Sequence, residues 1–339
     1  MLKRIFNSIK NFVVEEYKFL ICTLIFYIIC TWPVNYYIII GGGIDDVSDR
    51  IEVEDAYDSK GSFNISYVSE LKGTVLTYGL SYVIPSWDRE SMSDYKYSED
   101  EDYKDIDFRG ELDLKTANGS AIKNAYQLAD EEYSEVSSKI YVIANFNEYK
   151  TELDVGDELL SVEGKSFDTP QEYSKFIQGY NVGDKLVVKV KRAKKEVELE
   201  CKVHELDGTK LFGVALQLVK EYETDPDVEI KFKKEESGPS GGLITTLEIY
   251  NQLTKNDITN SLKIAGTGTV SDDGTVGSIG GVRYKLIGAE AGGADVFLVP
   301  AGKNYKECLK VKKEKKLDIE IISVSNVSEA IEKLAELEL

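Results

Sequence analysis

From residue 19 to residue 44 the chain carries no charge. Such a stretch must be buried in a core or in a membrane, and its central part, 19–40, is long enough to cross a bilayer as a helix. Lys3, Arg4, Lys10 and Lys18 precede it, whereas Asp45, Asp46, Asp49, Glu52, Glu54 and Asp55 follow it. This asymmetry predicts a cytoplasmic N-terminus over 1–18, a transmembrane helix over 19–40, and everything after about residue 42 outside the cell. Tyr36 and Tyr37 suit the interfacial belt, and Pro33 is tolerated in such a helix as a kink. The run exceeds an ordinary signal-peptide core, and no small-x-small site follows cleanly, so an uncleaved anchor is expected.

At 339 residues there is room for two further domains. A net charge of −19 supplies no basic stripe for phosphates and argues against nucleic acid as a partner. Residues 51–85 alternate and are rich in β-branched residues, predicting strands at 61–68 and 73–83. Residues 86–107 follow no period and read as an exposed acidic loop. A helix is expected over 112–135, with Ala121, Ala125 and Leu128 on one face. The character changes at 140–203, where strands at 140–144, 183–192 and 197–203 surround a short amphipathic helix at 170–178. Further strands are expected at 211–219 and 228–233, a hairpin from 263–270 and 275–279, and a strand at 294–299 between helices at 282–292 and 327–337. The fold class expected is α+β.

Residues 237–242 read Ser-Gly-Pro-Ser-Gly-Gly and run into a helical pattern of Leu243, Leu247 and Tyr250. Ser240 therefore stands where a loop becomes a helix, beside N–H groups that have no intrahelical partner. Those groups would stabilise an oxyanion, although a serine there is also an ordinary cap. A second glycine turn, Ile279-Gly280-Gly281, opens the helical pattern that carries Lys285 among Val282, Leu286 and Ile287. A lysine can deprotonate a serine when burial lowers its pKa from about 10.4 by several units. The single histidine, His204, lies in a charged stretch and cannot complete a several-histidine zinc site. Of the four cysteines, Cys22 and Cys30 lie in the apolar run, and nothing in the spacing of Cys201 and Cys308 supports a disulfide. No disulfide, metal or cofactor is expected.

Gly238-Pro239-Ser240-Gly241-Gly242, then Ala265-Gly266-Thr267-Gly268, then Gly280-Gly281 with Lys285, resembles the proteolytic domain of Lon proteases, the S16 serine peptidases, over residues 228–300. The resemblance implies that Ser240 is the nucleophile, that Lys285 is the general base and that Thr267 hydrogen-bonds the amine. Gly238, Pro239 and Gly241 form the turn that holds the oxyanion. Ser237 and Thr269 stand where that family usually has acidic residues. Residues 153–164, Leu-x-x-Gly-Asp-x-Leu-x-x-Val-x-Gly, with the strand that follows, look like a bacterial PDZ domain. That likeness implies capture of an extended peptide beside an exposed strand, with Ile140, Tyr141, Val142 and Ile143 as the expected edge. A PDZ-like domain at 138–206 would then be inserted between two halves of a Lon-type domain, 45–135 and 209–339.

The whole resembles the membrane-anchored PDZ-containing Lon-type proteases, the SepM/YlbL group. This implies a serine endopeptidase acting on exported peptides or exposed segments of membrane proteins at the outer membrane face. No P-loop run occurs in the 339 residues, so action without ATP is expected. Lon-type domains commonly form hexameric rings, which makes a homo-oligomer an open expectation. The rival class is a tethered peptide-binding scaffold with an inactive protease half.

Overall fold

The computed structural model describes residues 2–337 apart from 100, 147, 232, 234 and 235, with side chains from residue 12 onward. The chain divides into two compact units, Met1–Gly41 with Val68–Tyr95, and Gly42–Tyr67 with Lys96–Leu339.

In the first unit, helix Leu2–Thr31 gives way to strand Pro33–Asp46, whose residues 36–39 pair antiparallel with 88–91. The membrane helix expected over 19–40 is therefore corrected. Proline cannot continue the helix, and the aromatic and β-branched run Tyr36-Tyr37-Ile38-Ile39-Ile40 favours a strand. Ile38 and Ile39 are fully buried there. Glu15, Glu16 and Lys18 lie in the same helix as the remaining apolar residues, and among the described residues no helix is long and apolar enough to cross a membrane. Residues 73–83, expected as a strand, hold a short helix instead, Val75–Leu80. A reciprocal capping box between Thr74 and Thr77 starts it, a local signal that outweighs the β-branched content. Arg89 lies over the Tyr82 ring, 3.7 Å from its centre.

The second unit holds two cores on the two faces of one parallel sheet. Glu320–Val324 pairs with Val296–Pro300, which pairs with Lys263–Gly266, which pairs with residues 62–65 of strand Ser62–Thr74. Successive side chains on a strand point to opposite faces. Val296 and Leu298 accordingly pack with Ile244, Leu247 and Ile264, while Phe297 and Val299 pack with Ala265, Leu286 and Cys308. Helices Gly242–Leu253 and Val327–Ala335 contribute to the first core, Val282–Ala291 and Lys303–Lys315 to the second. Helix Lys303–Lys315 is rich in lysine, and Asn304, Cys308 and Val311 are the residues it buries.

The same unit contains a five-stranded antiparallel sheet in the order Val214–Asp225, Glu132–Asn145, Glu158–Val162, Lys185–Arg192, Lys195–Lys202, with helix Pro170–Ile177. It has its own core of Ile140, Val142, Val188, Val190, Phe212 and neighbours. Two expectations change. The long helix runs Tyr103–Ala129 and begins inside the supposed acidic loop, because Asp102 caps it. Glu101, buried just before it, pairs with Arg109 at 2.6 Å. Residues 130–135, expected as helix, are a left-handed cap at Asp130 and the start of strand Glu132–Asn145. Cys201 lies in the core of the five-stranded sheet and Cys308 in that of the parallel sheet.

Burial of the parallel sheet on both faces has a measurable cost when one face is emptied. Phe297→Ala should destabilise the fold by about 3–5 kcal/mol. Urea unfolding measures this, and a loss below about 1 kcal/mol would contradict burial at that position.

Candidate active site

Three segments of the second unit meet at Ser240. The first is the turn 237–242, in which Gly238 has φ +84°, a conformation that favours glycine. Ser240 ends this turn, with Gly241 as the N-cap of helix Gly242–Leu253. The second is the segment after strand Lys263–Gly266, which carries the fully buried Thr267. The third is helix Val282–Ala291, entered through Gly281 at φ +65° and carrying Lys285 in its first turn. Lys285 is 5% exposed.

The Lys285 amine lies 2.7 Å from Ser240 Oγ and 3.1 Å from Thr267 Oγ1. Thr267 Oγ1 in turn donates to the Ser240 carbonyl at 3.1 Å. The backbone is stapled at the same place: Gly268 N–H donates to Ser240 O at 2.8 Å and Leu243 N–H to Gly268 O at 3.0 Å. An amine and a hydroxyl in direct contact can pass a proton between them.

Residues that sequence reading did not single out hold these parts. The buried Ser66 hydroxyl donates to the Lys285 carbonyl at 2.8 Å. The buried Asn304 amide brackets Ile279 just before the Lys285 helix, accepting from its N–H at 3.0 Å and donating to its carbonyl at 2.9 Å. Gly42 lies so near that helix that a Cβ on it would come within 2.4 Å of the Tyr284 carbonyl. Contacts of this kind cross long sequence separations, and no local pattern announces them.

The expected oxyanion turn needs a correction in detail. Pro239 has no N–H, the Gly238 N–H donates to Gly110 O at 2.9 Å, and the Gly242 N–H donates to Pro239 O at 3.2 Å. The Ser240 and Gly241 N–H groups are left without an acceptor among the described residues. His204 lies elsewhere, against the Tyr149 ring and the Lys150 carbonyl. The supposed peptide edge is also corrected. Ile140, Tyr141, Val142 and Ile143 belong to an interior strand, paired with Val214–Asp225 on one side and facing the Asp157–Leu159 segment on the other. The strands at the two ends of this sheet are Val214–Asp225 and Lys195–Lys202.

Residues 225–336 match the Lon protease (S16) C-terminal proteolytic domain. Ser240, Thr267 and Lys285 all fall within that match. The Lon protease of Desulfatibacillum aliphaticivorans is 34% identical over 122 residues, which is 33% of this chain and 14% of that protein. The Lon protease of Neorickettsia sennetsu is 38% identical over 94 residues, 28% of this chain and 11% of that protein. The chain thus spans a small part of the length of the curated relatives it matches. Among solved structures, the PDZ domain of an SdrC-like protein from Listeria monocytogenes covers 23% of this chain and 85% of its own, at 25% identity and TM-score 0.21. The corresponding domain from Listeria innocua covers 23% and 92%, at 27% identity and TM-score 0.22.

The Ser240 helix also carries a buried carboxyl. Burial pushes Glu248 up to about 7 from an ordinary 4.5, with Asp46 and Asp257 adding to the rise and the Gln252 amide opposing it. The folded chain therefore binds this proton more tightly than the unfolded chain. The stability it contributes is complete below about pH 4.5 and is lost as pH rises to and through 7. Glu248→Gln should remove that loss, raising stability at pH 8 by on the order of 3 kcal/mol. Denaturation midpoints between pH 5 and 8 measure this, and an equally steep profile in the variant would contradict it.

Proposed function

We propose that the chain is an ATP-independent serine endopeptidase of the Lon type, belonging with the membrane-anchored PDZ-containing forms and working through a Ser240–Lys285 dyad. One observation carries the reading: the amine of Lys285, a residue only 5% exposed, lies 2.7 Å from a hydroxyl at the head of a helix. Burial disfavours a charged amine, and a neutral one is what a base requires.

In this mechanism Lys285 Nζ takes the Ser240 proton as Oγ bonds to the scissile carbonyl carbon. Thr267 holds the amine in line. The oxyanion forms beside the Ser240 and Gly241 N–H groups, at the positive end of the Gly242–Leu253 helix. As the C–N bond breaks, the leaving nitrogen takes the proton back from Nζ. A water molecule, deprotonated by the same amine, then bonds to the acyl carbon; the C–Oγ bond breaks as Ser240 Oγ takes the proton back from Nζ, releasing the new carboxyl end.

The substrate class is peptide or unfolded protein. The lack of a P-loop run in this sequence supports action on segments that are already exposed. The antiparallel five-stranded module supports capture of extended peptide, with Val214–Asp225 in place of the strand first expected to serve. A homo-oligomer belongs to this reading on family resemblance alone. Attachment to the membrane is supported by Phe19, Leu24, Ile25, Phe26 and Ile29, which stand exposed on the N-terminal helix. Placement at the outer face belongs to this reading on family resemblance alone.

Ser240→Ala and Lys285→Ala should each reduce hydrolysis of an unstructured reporter peptide by on the order of 10⁴ or more. Thr267→Val should cost about 10- to 100-fold. Equal activity in wild type and both dyad variants would remove the dyad. The full chain should float with lipid vesicles, and Phe26→Glu with Ile29→Glu should release it; flotation that ignores these changes would contradict attachment through this helix.

A further inference from the structure

The long helix Tyr103–Ala129 touches both the catalytic turn and the five-stranded module, on two different stripes. One stripe faces the module. Arg109 donates to the Ile143 carbonyl at 3.4 Å, and Leu112 packs with Ile143 and Val219. Gln217 donates to Asp113 at 3.0 Å and contacts Thr116 at 3.1 Å, while Thr116 donates to the Leu218 carbonyl at 3.4 Å. Asp113 is partly withdrawn from water at this junction, which pushes its carboxyl up, while Gln217 and then Arg109 oppose the rise.

The other stripe, about 100° around the helix, faces the chemistry. The Gly110 carbonyl accepts the Gly238 N–H at 2.9 Å. A Cβ on Gly110 would lie 3.1 Å from the Ser237 Cβ, so only glycine lets the turn come this close without displacement. Two helical turns further on, Ala117 approaches Gly242, and beyond it Asn124 donates to the Ser271 carbonyl at 2.9 Å. Neighbours on the helix thus divide their partners: Arg109, Leu112, Asp113 and Thr116 take the module, whereas Gly110 takes the turn that presents Ser240.

We propose that Gly110 is a positioning residue for the Ser240 turn, and that the long helix links the seating of the five-stranded module to the placement of that turn. The inference rests on the proposed peptidase reading for its catalytic consequence. The geometry stands apart from it: the bond that fixes the turn ahead of Ser240 comes from a helix whose adjacent stripe is bonded to the module. Val214–Asp225, the end strand of the module that this helix touches, is one at which a guest peptide would add by main-chain pairing. Thr116 already occupies the Leu218 carbonyl, and Gly119 approaches the Lys220 carbonyl so closely that a Cβ would come within 2.8 Å. A guest strand extending to Leu218 displaces Thr116 and so bears on the same helix.

Two single variants of the full chain test this. Gly110→Ala improves helix propensity, yet forces the turn away from the helix. It should leave the unfolding temperature unchanged or raised, leave KM for a short unstructured reporter within twofold, and lower kcat at least tenfold. A merely structural glycine would give the opposite pairing, lowered stability with unchanged kcat. Gln217→Ala, on the module side, should lower kcat in the same sense and speed amide hydrogen exchange at Gly238 at least tenfold. Exchange at Gly238 is read whether or not the wild type cleaves the reporter, so an inactive wild type counts against the dyad and leaves the link to be decided by exchange. Wild-type exchange at Gly238 in the Gln217→Ala variant, or wild-type kcat in Gly110→Ala, would overturn the proposal.

Discussion

The polar end of a lysine buried to 5% exposure must be satisfied by groups brought to it from elsewhere in the chain. Lys285 meets that demand with the hydroxyls of Thr267 and Ser240. Each of these three residues sits on a different segment, and each segment is fixed by bonds that do not involve the amine. Ser66 and Asn304 hold the Lys285 helix, and Gly268 staples the Ser240 carbonyl to the strand that ends before Thr267. The amine–hydroxyl contact is therefore held in place by the fold itself. A hydroxyl and an amine held in contact need little reorganisation to exchange a proton, and this is the ground for reading the pair as a catalytic unit.

The frame that makes this possible is a parallel sheet buried on both faces. Val296 to Val299 alternate between two cores, so the Ser240 helix lies against one face and the Lys285 helix against the other. The dyad closes where the two helices start, beyond the end of strand Lys263–Gly266. A ligand crevice at the carboxyl ends of parallel strands is a general property of such sheets. The long helix adds a second constraint, bracing both the turn ahead of Ser240 and the module beside it. Contact with two structures limits how the helix can move without disturbing both.

The N-terminal stretch shows how one composition can serve two local structures. Absence of charge favours removal from water, and it does not choose between helix and strand. Pro33 and the β-branched residues after it make that choice, so the apolar run is divided between an exposed helix and a strand with buried isoleucines. Thr74 and Thr77 decide the opposite way in the first unit, where a capping box turns an expected strand into a helix.

The glycine turns, the order of Ser240, Thr267 and Lys285, and the alternation that builds the five-stranded module were legible in the sequence, since each is set by near neighbours through φ requirements, helix starts and period. The edge of that module was not legible. Residues 140–144 read correctly as a strand, but whether a strand is interior depends on a partner, Val214–Asp225, seventy or more residues away. Nor was Gly110, an unremarkable glycine within a helical pattern, whose need for a missing Cβ arises from Ser237 approaching across the fold. The sequence by itself determined which residues could carry the chemistry, because residue type and local backbone preference fix that. Only the tertiary structure decided which of them meet, because an amine, a hydroxyl and a bracing carbonyl come together through packing between segments far apart in the chain.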